Sequence, residues 1–517
     1  MRYGFVIDQD RCIGCHACTV ACKEENQVPV GVFRTWVKYV EKGVFPNTRR
    51  HFGVLRCNHC DDAPCVEICP TRALYRRSDG IVDFDGNRCI GCKSCMQACP
   101  YDALYIDPNS NTAAKCNYCA HRVEVNLEPA CVIVCPTRAI IPGDLDNPAS
   151  LISQIVATEK VSVRKPQKGT EPKLFYKGVE GDLLQPTRLQ QQANYFWSDR
   201  QESDNQILAA SGIGNPANNE PRGHDWAGNS TREIYDVAHG MPWGWRISAY
   251  LWTKSIAAGA LFVPAFLLRW FPFSPLMTVL MPAIALAALA VTMLLLITDL
   301  KRPDRFFYLL TKPNFKSWLV LGSYILMGYG ALVALWLLEG LTGGTVSDVV
   351  CWLAIVFGIG SACYSAFLFA QAKGRDLWQS QMFFWHLLVH AVIAGDAVLM
   401  LTAIWTRSSR AVALFGSAVL GIFCIISLAM ILAEISLPHV SEDVALAIGS
   451  LTSGALSGRF WLLAIGLGLV LPIVLTALAW SRIVPPGVIG IAAAFALAGV
   501  WWFEDLWVKA GQIVPLS

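Results

Sequence analysis

Sixteen of the 19 cysteines in this chain lie between Cys12 and Cys135, in four groups of four. The most regular group runs from Cys89 to Pro100 and reads Cys-Ile-Gly-Cys-Lys-Ser-Cys-Met-Gln-Ala-Cys-Pro. Its first three thiolates are spaced to hold three corners of one cubane centre, whereas the fourth, a helical turn later, is placed to reach a second centre nearby. The sequence repeats this arrangement three more times.

All four groups follow the spacing that holds iron–sulfur clusters. The other three read C-x2-C-x2-C-x3-C from Cys12 to Cys22, C-x2-C-x4-C-x3-C-P from Cys57 to Pro70, and C-x2-C-x11-C-x3-C-P from Cys116 to Pro136. A disulfide framework does not require repeated C-x2-C spacing followed by Cys-Pro. Structural zinc is an alternative for a single C-x2-C pair, but each group here supplies four thiolates in a 3+1 pattern. The sequence therefore predicts four [4Fe–4S] clusters.

Three of the cysteine groups are followed by similar tails. These tails run from Pro70 to Leu74, from Pro100 to Leu104 and from Pro136 to Ile140. We expect each tail to form a small β unit that packs its apolar residue over a cluster. Dry surroundings and backbone hydrogen bonds to sulfur tune the reduction potential of such a centre. Lys93, between two ligands, could stabilise a reduced cluster or could be a solvated side chain.

The composition of the sequence changes near residue 248. Residues 1 to about 240 are polar and contain every cysteine motif, whereas the rest is dominated by long apolar runs. Crossing the ~30 Å hydrocarbon core of a bilayer takes about 20 apolar residues. Cys351, Cys363 and Cys424 lie inside these runs and are expected to be small core residues. Eight spans are predicted, at residues 248–270, 276–298, 317–339, 347–371, 380–404, 411–436, 459–481 and 486–507.

The cysteine spacing, with x4 in the second group and x11 in the fourth, resembles the electron-transfer subunits of membrane-bound molybdenum and tungsten oxidoreductases. Dimethyl sulfoxide reductase, polysulfide reductase, sulfite dehydrogenase and formate dehydrogenase have such a subunit. The resemblance covers residues 1 to about 145 and implies that cluster ligands cross over between the groups. The implied ligand sets are Cys12, Cys15, Cys18 and Cys135; Cys116, Cys119, Cys131 and Cys22; Cys57, Cys60, Cys65 and Cys99; and Cys89, Cys92, Cys95 and Cys69.

The loop between spans two and three resembles a second family. From Asp299 to Phe306 it is similar to the Asp-Leu-Gly-Arg-Pro-x-Arg-Phe loop of the quinone-binding membrane subunits of the polysulfide reductase (NrfD-type) family, with Lys301 where Gly is usual. Tyr364-Ser-Ala-Phe-Leu in span four resembles that family's Tyr-Thr/Ser-Gly-Phe-Leu, and eight spans match its count. The chain therefore resembles a four-cluster subunit of the dimethyl sulfoxide/polysulfide reductase type, fused to an NrfD-type membrane subunit.

Ionisable groups inside membrane spans are costly and are usually functional. The NrfD resemblance implies that Tyr364 donates a hydrogen bond to a quinone, either menaquinone or ubiquinone, and that Asp299 and Arg302 are loop groups of the same site. Lys254 has suitable chemistry for this site, but snorkelling of its ammonium to the membrane interface is an equal alternative. The sequence thus predicts a quinone site that includes Tyr364, Asp299, Arg302 and Lys254.

Spans five and six contain further ionisable residues. Asp396 and Glu434 are candidates for a proton path, although Asp396 could merely pair with a neighbouring helix. His386 and His390 are four residues apart, so both lie on one face of a helix and cannot bind opposite sides of one iron. Bis-His haem would need His439 or another helix as well, and the family that the chain resembles lacks haem. We therefore expect no haem, and we favour quinone-site or packing roles for the two histidines.

The distribution of basic residues predicts which side of the membrane the cluster domain occupies. An even number of spans places both ends of the membrane domain on one side. That side has ten flanking or loop Lys and Arg residues, whereas the opposite side has four. The positive-inside rule therefore predicts a multi-pass protein of the cell (inner) membrane with its cluster domain in the cytoplasm. Met1 to Asp8 show no signal-peptide pattern, which agrees with this orientation.

The predicted fold is an α+β double ferredoxin-like domain with four clusters over residues 1–145, followed by an all-α membrane bundle of eight helices over residues 248–510. Residues 146–247 are predicted to be a polar connector. Met241 to Arg246, at the end of this connector, is expected to be an interfacial anchor because Trp favours the headgroup level. The formal net charge of +3 is small and gives no argument about nucleic acid, and no nucleic-acid partner is expected.

No motif in the sequence would activate a substrate. We therefore expect the electron-transfer and membrane-anchor subunit of a quinone-linked respiratory oxidoreductase, with the substrate chemistry on a separate molybdenum or tungsten bis-pterin subunit. Sulfite or formate oxidation is the first hypothesis. One alternative is a periplasm-facing polysulfide, tetrathionate or dimethyl sulfoxide reductase that draws on quinol. Another is a proton-coupling module that receives electrons from a donor without molybdenum.

Overall fold

Short strands alternate with the cysteine groups in the first part of the protein. The computed structural model describes residues 1–44, 46–179, 181–191, 231–270, 274–343, 345–406, 410–481, 483, 485 and 487–517. Residues 192–230 of the predicted polar connector lie outside these residues. Within them, the strands are β1 (Tyr3–Asp8), β2 (Thr35–Val44), β3 (Asn47–Arg56), β4 (Leu74–Arg76), β5 (Val82–Phe84), β6 (Leu104–Ile106), β7 (Ala113–Lys115), β8 (Ile140–Asp144), β9 (Val161–Ser162), β10 (Leu174–Lys177), β11 (Gln190–Gln191) and β12 (Thr231–Tyr235).

The third cysteine of every group lies on a short helix. These cysteines are Cys18, Cys65, Cys95 and Cys131. A helix at this point turns the backbone so that the fourth cysteine of the group is carried away from the first two. The helices of this part are Ala17–Glu25, Pro64–Ile68, Ser94–Ala98, Ala120–Val123, Ala130–Ile133, Leu151–Thr158 and Gly181–Leu184, with single 3₁₀ turns at Pro166–Lys168 and Pro186–Arg188.

β1 is a central strand of the first sheet, whose order is β8-β1-β10-β9. It pairs antiparallel with β8 and parallel with β10. β9 and β10 follow residue 145, so the segment predicted as a connector contributes two strands to the sheet of the cluster domain. A second sheet has the order β11-β12-β2-β3 and is dominated by the long β2–β3 hairpin.

The small β units predicted after three of the cysteine groups are present. β4 pairs with β5 and β6 pairs with β7 as two-stranded hairpins, and β8 joins the first sheet. The apolar residue that opens each unit is Leu74, Leu104 or Ile140, and all three are buried. Leu74 and Leu104 pack in the same core cluster as cysteines of the second and third groups, so these hairpins help to exclude water from the thiols.

Among the described residues, eight helices are long and apolar enough to cross a membrane, as predicted. The largest difference from the predicted bounds is at the last one, which continues to Ile513 rather than ending at residue 507. Spans one to eight are Trp245–Leu267, Leu276–Asp299, Trp318–Gly343, Asp348–Ala370, Met382–Trp405, Ala411–Ser436, Ser457–Trp480 and Val488–Ile513. Shorter elements between them are the helices Tyr308–Thr311 and Glu442–Thr452 and the 3₁₀ turns Pro303–Arg305 and Asp376–Gln379.

Prolines interrupt the regular helix in three of the spans. Span one consists of the helices Trp245–Gly259 and Phe262–Leu267, and the break precedes Pro264 because its nitrogen cannot donate to the carbonyl of the preceding turn. Span two begins with a π-helical segment that ends two residues before Pro282, and span seven contains one that ends two residues before Pro472. Neighbouring helices satisfy the freed backbone groups of such irregular segments in a membrane.

Spans one and five cross at a pair of glycines. A Cβ atom on Gly259 would lie 1.7 Å from the carbonyl oxygen of Ala391, and one on Gly395 would lie 1.9 Å from the carbonyl carbon of Gly259. Small residues at such a crossing let two helix backbones approach closely, which is a main source of attraction between helices in lipid. This contact holds the part of span one that contains Lys254 against span five.

We predict that Gly259→Ala lowers the free energy of unfolding by at least about 3 kcal/mol, because the new methyl group forces the two backbones apart. Thermal unfolding of the detergent-solubilised protein, followed by tryptophan fluorescence, measures the change. Gly449→Ala is the matched control, because its Cβ would meet no atom within 4 Å in the helix Glu442–Thr452. Equal midpoints for the two variants would contradict the close crossing.

Candidate iron–sulfur and quinone sites

The backbone repeats one conformation in all four cysteine groups. The residue before each second cysteine has a positive φ: Gly14 (68°), His59 (45°), Gly91 (68°) and Tyr118 (62°). A residue other than Gly pays roughly 1–2 kcal/mol for this left-handed conformation. The amides of His59 and Gly91 each lie 3.4 Å from the sulfur two residues earlier, in Cys57 and Cys89. The turn therefore directs N–H groups at sulfur, which is how backbone amides tune a bound cluster.

The sixteen cysteines form four spatial groupings, each of which combines three cysteines of one sequence group with one of another. We number them set one (Cys12, Cys15, Cys18 and Cys135), set two (Cys22, Cys116, Cys119 and Cys131), set three (Cys57, Cys60, Cys65 and Cys99) and set four (Cys69, Cys89, Cys92 and Cys95). Their membership is the one that the family resemblance implied. Their role as ligands stays a prediction.

Two of the sets line cavities. All four cysteines of set two line one cavity, and all four of set four line another. A donor set of four mostly buried thiols around one shared space fits an iron–sulfur cluster. Within the part of the protein that the structure describes, no three His, Cys, Asp or Glu side chains converge as the ligands of a single metal ion would.

Burial and mutual repulsion raise the pKa of the thiols within a set. Burial is the larger cause for Cys12, whose pKa is also raised by the neighbouring Cys135 and Cys15. Burial likewise raises the pKa of Cys60, and Cys57 and Cys99 add to the effect. Such thiols hold their protons at neutral pH unless a positive centre displaces them, so cluster binding would release protons.

The sets follow one another from the free surface to the membrane domain. Set one is at the surface, since Cys15 alone among the sixteen cysteines is exposed. Cys131 of set two raises the pKa of Cys18 in set one, and Cys65 of set three raises that of Cys95 in set four, so each of these pairs is adjacent. Lys115 lies between sets two and three. Its charge acts to lower the pKa of Cys65, and its ammonium donates to the carbonyl of Cys116. The sets therefore follow one another in the order one, two, three and four.

Set four is covered by the loop between spans two and three. The amides of Lys301 and Arg302 donate to the carbonyls of Gly91 and Ile90, both at 3.2 Å. Later in the loop, the side-chain amide of Asn314 donates to the carbonyl of Cys69 at 2.8 Å. The segment that resembles an NrfD loop is therefore in direct contact with a cysteine motif.

The prediction that residues 241–246 are an interfacial anchor is wrong for Trp243. This side chain is buried, and its indole nitrogen lies 3.4 Å from the carbonyl oxygen of Cys92. Its ring stacks on Trp378 at a centroid distance of 5.2 Å. Trp378 and Phe369 of the membrane domain, together with the docked cluster domain, provide this burial, which hydropathy alone does not reveal. Trp245 remains exposed.

Lys93 and Asp299 form a buried ion pair across the domain boundary. The Nζ and Oδ2 atoms are 2.8 Å apart, and the two side chains are 9% and 10% exposed. The solvated side chain considered for Lys93 is therefore not observed. Because Lys93 lies between Cys92 and Cys95, this pair directs Asp299, predicted to bind quinone, towards the cluster motif.

Arg302 also faces the cluster domain. Its guanidinium pairs with Asp304 at 2.9 Å and donates to the carbonyl of Ser110 at 3.3 Å. Arg305, in the same loop, donates to the carbonyl of Cys89 at 3.1 Å. The loop arginines thus contact the cluster domain, on the same side as Asp299.

Lys254 and Tyr364 come together inside the membrane domain. Lys254 is fully buried, and its ammonium donates to Ser365 Oγ at 2.7 Å and to the carbonyl of Ala362 at 2.8 Å. The Nζ atom lies 4.8 Å from the ring centroid of Tyr364, within the range of a cation–π interaction. Snorkelling of Lys254 is therefore not observed, and spans one and four meet at a polar group that is out of contact with lipid.

Comparisons with known proteins agree with both halves of this arrangement. The family model described as polysulphide reductase, NrfD, matches residues 235–515. Models described as 4Fe-4S binding domain and 4Fe-4S dicluster domain match residues 3–24 and 49–145. The chain thus belongs to the NrfD family and carries 4Fe–4S domains at its N-terminal end. It is a multi-pass membrane protein.

Relatives of the iron–sulfur part are components of reductases. The chain is 44% identical to a tetrathionate reductase subunit of Salmonella typhimurium, over 36% of this chain and 76% of the relative. It is 42% identical to a polysulfide reductase component of Wolinella succinogenes, over 34% of this chain and 93% of the relative. The chain is 35% identical to the arsenate respiratory reductase iron–sulfur subunit ArrB of a Shewanella species, over 34% of this chain and 96% of the relative.

In this NrfD-family domain, further buried polar groups extend from the Lys254 site. Ser255 donates to Glu504 at 3.3 Å, and Glu504 lies 3.6 Å from the Nδ1 atom of His390. One turn earlier on span five, the Nε2 atom of His386 lies 2.8 Å from Glu434. Both histidines thus face carboxylates.

Two functional candidates were missed from the sequence. Glu504 lies in the last apolar run, and the hydropathy pattern offered a signal for it, since two adjacent acids interrupt that run. Arg56 is buried between cysteine sets and precedes Cys57 directly. Asp396, by contrast, was predicted, and among the described residues neither of its buried oxygens accepts a hydrogen bond.

We predict that Asp299→Asn destabilises the docking of the two domains by about 3–5 kcal/mol, because it leaves the buried ammonium of Lys93 without a counter-charge. Asp304→Asn is the control in the same loop. Its carboxylate is 56% exposed, so the loss of its pair with Arg302 costs about 0–1 kcal/mol. Thermal unfolding and limited proteolysis of the purified protein measure both effects.

The double variant Lys93→Met/Asp299→Asn separates docking from quinone binding. It removes both charges and should recover most of the lost stability. Recovered stability with impaired quinone reduction would give Asp299 a role in quinone binding as well. If the double variant were no more stable than Asp299→Asn, the ion pair would not be the main contribution of Asp299.

Proposed function

We propose that this chain is the electron-transfer and membrane-anchor subunit of a quinone-linked oxidoreductase. It carries four [4Fe–4S] clusters, one on each cysteine set, and binds quinone in the membrane domain. The observation that carries the proposal is the linear order of the sets, from exposed Cys15 to set four beneath the loop between spans two and three. The clusters, when bound, supply one-electron transfer over this distance.

The protein's own residues prepare the two ends of this row. At the membrane end, Lys93, Asp299 and Trp243 close set four against the membrane domain and keep water away from it. At the far end, three apolar side chains near sets one and two expose more than half of their surface, namely Ile13, Val20 and Ile133. Exposed apolar residues grouped in this way mark an interaction site. We propose that the catalytic subunit docks there and carries a molybdenum or tungsten bis-pterin centre.

The proposed quinone site is the group around Lys254 and Tyr364. A quinone carbonyl needs a hydrogen-bond donor, and the ammonium of Lys254, the phenol of Tyr364 and the hydroxyl of Ser365 are the donors at this point. Asp299 and Arg302 are proposed to act at the entrance of the site, since both lie in the loop on the cluster side.

The relatives favour a reductase over the first hypothesis. Their printed names specify tetrathionate, polysulfide and arsenate reduction, and sulfite or formate oxidation has no such support. We therefore propose that the complex takes electrons from quinol and delivers them to an oxidised sulfur or arsenic compound.

The proposed orientation keeps the cluster domain in the cytoplasm. Four of the ten basic residues on this side contact the cluster domain, so their charges have a structural purpose besides topology: Arg302, Arg305, Lys373 and Arg375. Without them, six basic residues remain on this side against four on the other.

Metal analysis of the complex, purified with its natural partners in mild detergent, tests the proposal. We expect about sixteen or more irons and close to one molybdenum or tungsten per copy of this chain, since four [4Fe–4S] clusters contain sixteen irons. Quinol-dependent reduction of tetrathionate, polysulfide and arsenate should exceed oxidation of sulfite or formate. Protease added to intact spheroplasts should leave the cluster domain uncut.

Iron near sixteen without either heavy metal would remove the catalytic partner from the proposal and leave a relay with a different donor. Iron far below sixteen would overturn the four clusters. Cleavage of the cluster domain in intact spheroplasts would place it in the periplasm.

A second candidate function is proton coupling, supported by the polar groups deep in the membrane domain. His386 lies near the cluster-side end of span five and contacts Glu434 of span six. His390 lies one turn deeper on span five, next to Glu504 of span eight. Asp396 lies roughly 20 Å along the helix from Met382, at about 1.5 Å per residue, with Gly416 of span six against its carboxylate. Isolated acids at such depth are typical of proton relays.

We predict that Asp396→Asn abolishes proton movement in proteoliposomes but leaves the reduction of quinone by the protein's reduced clusters unchanged within about twofold, because the amide cannot carry a proton. A pH-sensitive dye inside the vesicles measures the first and quinol formation measures the second. Glu339→Gln, at the distal end of span three, is the control and should change neither. Unchanged proton movement in Asp396→Asn would remove this candidate.

A further inference from the structure

A buried arginine lies between the first two cysteine sets. Arg56 ends β3, is 1% exposed and stacks on the ring of Phe5 at 4.7 Å. Its Nη1 atom lies 3.1 Å from the sulfur of Cys131 in set two. A guanidinium is always charged in proteins, so the fold buries a full positive charge at this point.

Two of the guanidinium nitrogens have no acceptor among the described residues. These are Nε and Nη2, and both are buried. A buried charged donor without an acceptor is costly, and natural proteins rarely leave one unexplained. Arg56 also borders the cavity that the four cysteines of set two line. The missing acceptors are therefore expected to belong to what the sets hold.

The charges that favour the guanidinium belong to cysteines of two different sets. Burial opposes the charge of Arg56, but negative charge on the sulfurs of Cys131, Cys116 and Cys18, which cluster binding would create, outweighs burial and raises the pKa of the guanidinium. Cys18 belongs to set one, and the other two belong to set two. Arg56 thus faces sulfur on both sides, and its planar group of five N–H donors can reach both.

A comparison of equivalent positions singles out Arg56. A basic residue directly precedes the first cysteine of every group: Arg11, Arg56, Arg88 and Lys115. Arg11 and Arg88 are 59% and 46% exposed and contact nearby aspartates. Arg56 and Lys115 are buried, and Lys115 donates to backbone carbonyls. Only at Arg56 does a buried guanidinium in this series contact a cysteine sulfur.

We infer that Arg56 sets the reduction potentials of the clusters in sets one and two, by donating N–H groups to sulfur of both clusters from a position between them. Reduction adds a negative charge to a cluster, and a fixed positive charge within a few ångströms stabilises that form. The guanidinium does not deprotonate in the accessible pH range, so its effect does not change with pH. This inference rests on the proposed ligation of clusters by the sixteen cysteines.

The test is a redox titration, monitored by electron paramagnetic resonance, of the full complex with Arg56→Met. Methionine keeps an unbranched side chain, whereas the charge and the donors are lost. We expect two of the four cluster signals to shift to lower potential by at least about 59 mV. This shift corresponds to a tenfold change in the one-electron equilibrium constant. The shift should be equal at pH 6 and pH 9.

Arg11→Met and Lys115→Met are the matched controls. Arg11 precedes set one's first cysteine but is exposed, so its variant should leave all potentials unchanged. The charge of Lys115 acts electrostatically on Cys65 of set three. Lys115→Met should therefore shift a cluster signal that Arg56→Met leaves unchanged. A uniform shift of all four signals in Arg56→Met would indicate a loosened domain and overturn the inference.

Iron content separates failure of this inference from failure of the proposed function. A wild-type protein without iron would overturn cluster ligation itself. Sixteen irons in both proteins with identical potentials would overturn only the role of Arg56. If Arg56→Met does not assemble, Arg56→Lys keeps the charge but not the planar donor group, and it should lower the same two potentials by a smaller amount. Unchanged potentials in Arg56→Lys would then overturn the inference.

Discussion

The crowding of sixteen thiols, twelve of them buried, within one small domain is the constraint on which the rest of the structure depends. Thiolates placed this close together repel one another, and burial raises their pKa further. Positive charges among the sets offset this repulsion: Arg56 between sets one and two, Lys115 between sets two and three, and Lys93 beside set four. Left-handed turns add to this effect because they direct backbone amides at sulfur. The strands and helices connect these turns, and β1, β2 and β3 add an apolar core around Phe5, Trp36 and Leu55.

Set four can remain dry because the membrane domain covers it. The loop between spans two and three supplies backbone donors to the cysteine motif, and Asp299 neutralises Lys93 across the boundary. Removal of the membrane domain would therefore expose set four to water and leave the ammonium of Lys93 without its counter-charge. This explains physically why the two parts work as one unit in this protein: the surface that an electron has to cross is also the surface that holds the parts together.

Much of this architecture could be predicted from the sequence, because its strongest signals are local. Cysteine spacing, the tails after Cys-Pro and the apolar runs led to the clusters, the β units and the eight spans, and the structure has the last two where they were expected. Features that depend on contacts between distant segments were not predictable in the same way. Trp243 looked like a membrane anchor because its burial comes from Trp378 and the cluster domain. Likewise, strand β10 has no recognisable pattern without its partner β1.

The depth of the polar groups decides which function the membrane domain can have. Tyr364 lies near the cluster-side end of span four, and Asp299 is the last residue of span two, so a quinone bound between them would lie on the cluster side. The protons released when quinol is oxidised would then leave on that same side, for which Glu434 and His386 are suitably placed. Electron transfer and proton release on one side move no charge across the membrane. Coupling would need a group beyond the midpoint of the bundle, and Asp396, buried without a hydrogen-bond donor among the described residues, is in that position. The cost of keeping this carboxyl in the bundle is hard to explain by packing alone, since an apolar residue would serve the contact with Gly416 equally well.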